Sequence, residues 1–301
     1  MLNVIKSKWI CLGISIAIIL LGIIFYFVNG GFNLDIDFTG GTTLTIDMQG
    51  KSFTTDEISA LIKDTLGYSA SNVQTSNGNI IISISTPKTI NSNVALSTDD
   101  RTKLFNAIKE KYGIDDNALT DHDSIDATIG QELKHSAILS CIFALILMLI
   151  YISIRFEFLS GIAAVLSLTH NVLVLLSIYV IFQLNINTTF IAAILTIVGY
   201  SINDTIVTFD RIREIMHKVK KTPFKDIVNR GVNETLVRSI NTSITTLLTI
   251  VILYFVGVTS IKEFALPIII GILVGTYSSI FIASPIWSIL KKEKTVTNKA
   301  V

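Results

Sequence analysis

The chain has 301 residues, 50% hydrophobic and 16% charged, with a mean hydropathy of +0.62, which excludes an ordinary water-soluble domain. Its 24 basic and 23 acidic residues nearly cancel to +1, so the net charge gives no signal for nucleic acid, and where each charge stands matters more than the sum. The only cysteines, Cys11 and Cys141, both fall in apolar stretches; they indicate no disulfide framework, and neither a metal nor a cofactor is expected.

Lys6 and Lys8 precede roughly twenty apolar residues from Trp9 to Val28, more than the roughly 7–15 of a signal-peptide core, and no A-x-A pattern follows. Residues 1–29 are therefore expected to be a cytoplasmic N-terminus and an uncleaved first transmembrane helix.

Residues 30–133 are polar and rich in turn signals. Thr42 to Asp47 alternates as a strand, and Thr54-Thr55-Asp56-Glu57 opens a helix reaching about Leu66. Runs at 71–76 and 80–86 flank Asn77-Gly78, a hairpin signal. Ser97 followed by Asp100 starts a second helix through Leu104, Phe105 and Ile108 to Tyr112, and a last strand falls near 119–126. The order β-α-β-β-α-β predicts a ferredoxin-like α+β extracytoplasmic domain. Gly30-Gly31 reads as a flexible exit from the membrane, and Gly40-Gly41 as a structural turn before the first long strand. His122 among Asp121, Asp123 and Asp126 lacks further ligands at a defined spacing and reads as a solvated acidic loop rather than a cation site.

Residues 134–290 hold five more apolar runs, near His135–Ile154, Ser160–Phe182, Thr188–Phe209, Leu236–Val258 and Phe264–Leu290. Each is long enough for a hydrocarbon core about 30 Å thick. The chain is thus expected to be a polytopic α-helical membrane protein with six transmembrane helices. Basic residues concentrate at Lys6, Lys8, Arg155, the loop at 210–235 (Arg211, Arg213, Lys218, Lys220, Lys221, Lys225, Arg230) and the tail at 291–301 (Lys291, Lys292, Lys294), against Lys262 alone in the other two short loops. Both termini are therefore expected in the cytoplasm. Within the basic loop, Thr222-Pro223 starts a helix with Phe224, Ile227, Val228, Val232 and Leu236 at helical spacing, expected to lie along the membrane surface, the other reading being a solvated loop helix.

Polar residues inside the spans are costly and mark function by default. In the fourth span Thr196, Tyr200, Ser201, Asp204, Thr208 and Arg211 follow three- and four-residue steps, with Asn203 beside them; in the fifth, Arg238, Asn241, Thr242, Thr245 and Thr249 form a second stripe. Asp204 and Arg238 lie at similar depth, so a pair between them is geometrically reasonable. Two readings of that pair stand equal: a fixed structural ion pair, or a carboxylate that exchanges a proton when the pair opens. In the third span His170 is either a proton relay or, the reading preferred, a neutral hydrogen-bonding residue next to Asn171. Gly271, Gly275 and Ser279 in the sixth follow small-xxx-small spacing and predict close helix packing.

Several strings together resemble the SecF family, the smaller membrane subunit of the SecDF accessory complex of bacterial protein export. They are Leu34-Asp35-Ile36-Asp37-Phe38-Thr39-Gly40-Gly41, Arg155-Phe156-Glu157, Val198-Gly199-Tyr200-Ser201-Ile202-Asn203-Asp204-Thr205 and Asn233-Glu234-Thr235-Leu236 running to Arg238-Ser239-Ile240-Asn241-Thr242-Ser243. The resemblance implies a half-transporter of the RND superfamily in the bacterial plasma membrane. Such a subunit pairs with SecD, works beside the SecYEG channel and the SecA ATPase, and uses the proton motive force to draw unfolded exported polypeptides outward. The family's membrane aspartate and arginine fall on Asp204 and Arg238, which would carry proton coupling. A supporting polar network is expected from Tyr200, Ser201, Asn203, Thr208, Asn241, Thr242, His170 and Asn171. Family members typically have His-Asp in the third span, where this chain has His170-Asn171.

Two other classes compete. An RND-type exporter of small molecules or lipids shares the architecture, and a scaffold with a merely structural Asp204 shares the charge pattern. No Walker sequence or catalytic constellation is present, so no enzymatic activity is expected and nucleotide hydrolysis belongs to a partner.

Overall fold

The computed structural model describes residues 3–67, 70, 72–76, 79–85, 96–219 and 222–291. In chain order its elements are α1 (Val4–Val28), α2 (Ile36–Thr39), β1 (Gly41–Asp47), α3 (Thr55–Leu66), β2 (Asn72–Ser76), β3 (Asn79–Ser85), α4 (Thr98–Tyr112) and β4 (Leu119–Ile125). Then follow α5 (Ala127–Arg155), α6 (Phe158–Ile181), α7 (Thr188–Lys218), α8 (Phe224–Val256), α9 (Thr259–Ser278), a π-helical segment (Ser279–Ala283) and α10 (Ser284–Leu290). Two compact units form: an α/β unit of Asn33–Ile138 with Asn185–Thr188, and a helical unit holding the rest.

The α/β unit has the expected order of strands and helices, with the short α2 added ahead of them. Its antiparallel sheet runs β2-β3-β1-β4, with Leu44 opposite Ile82 and Ile46 opposite Ile80. Alternation puts Leu44, Ile46, Ile80, Ile82 and Ile84 on one face, where they bury against Ile58 and Ile62 of α3 and Leu104 and Ile108 of α4. The helix ends are set locally. Thr54 and Glu57 form a capping box, Ser97 caps α4, and Gly67 and Gly113 close the two helices in the left-handed conformation. The hairpin residues Asn77 and Gly78 lie outside the described residues, as do residue 86 and Lys220, Lys221, Lys292 and Lys294. Asp121, His122 and Asp123 belong to strand β4, paired with Thr45, Leu44 and Thr43 of β1, as the strand expected near 119–126 requires, so the acidic stretch is an exposed strand where the other reading had a loop; among the described residues no cluster of metal-ligating side chains forms.

Among the described residues six helices are long and apolar enough to cross a membrane: Val4–Val28, Thr128–Arg155, Phe158–Ile181, Thr188–Lys218, Phe224–Val256 and Thr259–Leu290. One expectation is corrected. The amphipathic stretch after Thr222-Pro223 is no separate surface helix but the first turns of α8, unbroken from Phe224 to Val256. Its apolar residues Phe224, Ile227, Val228 and Val232 are buried in protein. The Phe224 ring lies 5.3 Å from that of Trp287, and Gly231 abuts Ile212, whose Cγ1 an added Cβ would approach to 2.5 Å. Apolar periodicity marks a face to be covered without saying whether lipid or protein covers it.

The small residues of α9 pack as expected. A Cβ on Gly271 would fall 2.3 Å from Ile197 Cδ1, and one on Gly275 3.1 Å from Ser201 Oγ, whereas Gly13 of α1 has nothing within 4 Å. Gly271→Val should therefore force α9 and α7 apart, at about 1–3 kcal/mol or more. A lower thermal unfolding midpoint of the purified protein, unmatched by Gly13→Val, is the expected result.

Candidate functional site

Asp204 projects from α7 toward α8, and its Oδ1 accepts a hydrogen bond from Ser239 Oγ. Its Oδ2 is buried with no hydrogen-bond donor among the described residues. Arg238 is exposed and shares with Asp204 a cavity of about 80 Å³, lined also by Tyr200, Asn203, Val207, Thr242 and Ser243. Among the described residues no ion pair joins Asp204 to Arg238; the two residues judged close enough in depth to pair share a cavity without direct contact. Successive helix positions are about 100° apart; α8 turns Ser239 inward to meet α7 and leaves Arg238 at the cavity's edge.

The remaining expected residues fall into two groups. Around the cavity, Tyr200 Oη lies 3.2 Å from both the Thr242 carbonyl and Thr246 Oγ1, and Thr242 Oγ1 donates to the Arg238 carbonyl. Nearby, Thr208 Oγ1 sits 3.3 Å from Thr235 Oγ1. Inside the bundle a second row forms. His170 Nδ1 is 3.2 Å from Asn171 Oδ1, and Asn171 Nδ2 donates to Ser201 Oγ at 2.8 Å. Next to it Thr205 Oγ1 meets Ser279 Oγ at 3.0 Å. Ser279 opens the π-helical segment, a local irregularity often found at functional positions. Asn241 is exposed and joins neither group. Gly40 and Gly41 belong to the α/β unit, with φ of 72° and 145°; the Gly40 N–H closes α2 on the Ile36 carbonyl at 2.8 Å.

A larger cavity of about 880 Å³ is lined by Arg155, Asp210, Arg211, Arg213, Glu214, Glu234 and Arg238, among others; Val207 and Arg238 line both cavities. Here the basic loop residues are partly neutralised: Glu234 accepts from Arg211 Nε at 2.6 Å and from Arg230 Nε at 2.7 Å. Sequence reasoning missed Ser239, Thr205, Ser279 and this role of Glu234. Serine and threonine are common enough in apolar helices that only a facing carboxylate would single them out.

The chain is similar to several known proteins. A family profile described as protein export membrane protein SecD/SecF, C-terminal, matches residues 105–293. The protein translocase subunit SecF of Petrotoga mobilis is 36% identical over 289 residues, 95% of each chain. The subunit SecDF of Bacillus subtilis is 38% identical, covering 91% of this chain but only 36% of its own. A crystal structure of SecDF, a translocon-associated membrane protein from Thermus thermophilus, superimposes with a TM-score of 0.85 at 31% identity, over 96% of this chain and 38% of that one. A structure of SecDF in a super-membrane-facing form gives 0.68 at the same 31% identity, covering 39% of that chain.

Ser239→Val would remove the hydroxyl that donates to Asp204 Oδ1, while Ser239→Thr keeps one there. Loss of a hydrogen bond to a buried carboxylate costs about 1–3 kcal/mol. The valine variant, and not the threonine one, should unfold at lower temperature in detergent.

Proposed function

We propose, since this chain belongs to the SecF family of protein translocase subunits within the SecD/SecF group, that it couples the proton motive force to protein export through Asp204 and Arg238. The observation that carries this reading is a carboxylate that accepts from a serine hydroxyl and has no ion-pair partner among the described residues, beside an exposed arginine in a shared cavity. Such a carboxylate has two arrangements open to it. Ionised, it attracts Arg238 across the cavity; protonated, it loses that attraction along with the cost of a charge in a poorly solvated place. One elementary charge crossing 100 mV releases about 2.3 kcal/mol, a bias of about fifty-fold on a two-state equilibrium. That is enough to favour one conformation and too little for covalent chemistry, consistent with a transport subunit without catalytic activity.

The partner follows from coverage. Asn203, Arg238, Asn241, Thr242, Thr245 and Thr249 are exposed on α7 and α8, and polar groups facing lipid are costly. A SecD subunit covering this face removes the cost, as the longer SecDF chains of the relatives suggest. In this reading the protein lies in the bacterial plasma membrane with both termini cytoplasmic. Its basic loop at 210–235 and tail at 291–301 face the cytoplasm, and residues 30–133 form a ferredoxin-like extracytoplasmic domain that meets unfolded exported chains. SecYEG and SecA are transient neighbours. The helices from 134 to 290 and the first span at 1–29 make half of an RND-type transporter, with Tyr200, Ser201, Asn203, Thr208, Asn241, Thr242, His170 and Asn171 as supporting polar groups and Gly40-Gly41 as a turn.

Asp204→Asn and Arg238→Gln, scored by secretion of a reporter with membrane level and SecD co-purification checked in the same cells, test the proposal. An assembled complex that secretes no better than a deletion is the expected outcome; normal secretion by an assembled Asp204→Asn complex makes Asp204 structural and the mechanism wrong.

A further inference from the structure

Arg238 apart, none of the residues lining the larger cavity, about 880 Å³ in volume, has a part in the coupling proposed above. All of them belong to the helical unit, and the volume falls within the roughly 300–1,000 Å³ of ligand sites. Of its ten lining residues only Val207 is apolar, and four arginines stand against three carboxylates. The acids are not spread evenly among the arginines. Glu214 and Glu234 both close on Arg211, Glu234 takes Arg230 as well, and Asp210 reaches Arg155 only at 3.8 Å. Among the described residues no ion pair forms at Arg213 or Arg238.

Arg213 is held in place without being neutralised. Its Nη1 donates at 3.2 Å to the carbonyl of Arg155, the last residue of α5, one of the carbonyls that a helix end leaves unbonded. Arginines from α5, α7 and α8 thus line one cavity. Each guanidinium presents a rigid fork of donors that matches the oxygens of a phosphate group, two at a time. Depth favours a lipid phosphate over a free anion. A hydrocarbon core about 30 Å thick takes about twenty helical residues. Counted from Thr188 at the start of α7 it ends near Thr208, and counted back from Val256 at the end of α8 it ends near Leu236. The cavity therefore lies where phospholipid headgroups lie. Ile154 and Val237, the chain neighbours of Arg155 and Arg238, are 81% and 67% exposed, an apolar surface for acyl chains beside the arginines.

We propose that this cavity binds the phosphate headgroup of an anionic phospholipid, gripped by Arg155 and Arg213 with Arg238 beside them. Basic pockets between transmembrane helices suit such lipids, because attraction to the phosphate adds to the placement of the chains in the bilayer. A zwitterionic lipid brings its own cation among the arginines and is held less well.

The test uses the full chain co-expressed with SecD and purified in a neutral detergent, with a fluorescent short-chain phosphatidylglycerol titrated by anisotropy. Saturable binding is expected, displaced by unlabelled phosphatidylglycerol and about tenfold less well by phosphatidylcholine of the same chain length or by inorganic phosphate. Arg155→Gln and Arg213→Gln should each weaken binding about tenfold, the scale of one charge-assisted hydrogen bond. Lys6→Gln, which removes a cation outside the cavity, should leave it unchanged. Arg155 and Asp210 are both half exposed, so loss of their ion pair costs the fold little. If Arg213→Gln fails to assemble, Arg213→Lys keeps the charge but loses the fork, and weakening of about threefold or more is expected of it. Displacement by inorganic phosphate at the concentration that phosphatidylglycerol requires assigns the site to a free anion and overturns the lipid. Equal loss from Lys6→Gln, or no loss from either arginine variant, leaves only the diffuse attraction of a basic surface and overturns the site. Arginine variants that bind lipid normally but no longer co-purify with SecD give the cavity to a SecD carboxylate and overturn it too. Binding is read here and not secretion, so the outcome is separate from that of the Asp204 test.

Discussion

A carboxylate in the middle of an apolar helix is the constraint around which the rest is arranged. Asp204 must be kept from lipid, yet it is not neutralised by a fixed counter-ion: Ser239 supplies one hydrogen bond, and Arg238 stands one helix position away across a small cavity. Full ion pairing would bury both charges in one stable arrangement, and breaking it would be expensive. A hydroxyl donor costs less to exchange than a buried counter-ion, which is the property the proposed coupling role requires.

The cavity beside Asp204 lies on the side of α7 that faces α8. On the other side the helix is held tightly, with Ile197 against Gly271, Ser201 against Gly275 and Thr205 against Ser279. Close approach of backbones and matched hydroxyls give the strongest association available between helices in lipid, where hydrophobic burial drives little. Ser279, whose Oγ meets Thr205 Oγ1, opens the π-helical segment Ser279–Ala283. The Asn171–Ser201 hydrogen bond adds α6 to the same packed side. An asparagine there bridges two helices without titrating, so the interior row acts as a fixed frame while the face bearing Tyr200, Asn203 and Asp204 is open.

Much of this was legible in the sequence because it depends on local rules. Apolar runs long enough to span a bilayer gave six helices, and Thr54 with Glu57, Ser97, Gly67 and Gly113 bounded the two helices of the α/β unit. Depth along a helix was also readable, which is how Asp204 and Arg238 came to be considered together. Azimuth was not. Whether Arg238 or its neighbour Ser239 meets Asp204 depends on how α8 is rotated, a property of the packed bundle set by Gly231 against Ile212 and Phe224 against Trp287. The same interfaces drew residues 224–236 into α8, although their spacing fitted a membrane surface equally well. Asn185–Thr188 likewise looked like an ordinary short connection, since nothing local says that its partners, Asp35 and Asp37, lie some 150 residues earlier in the chain.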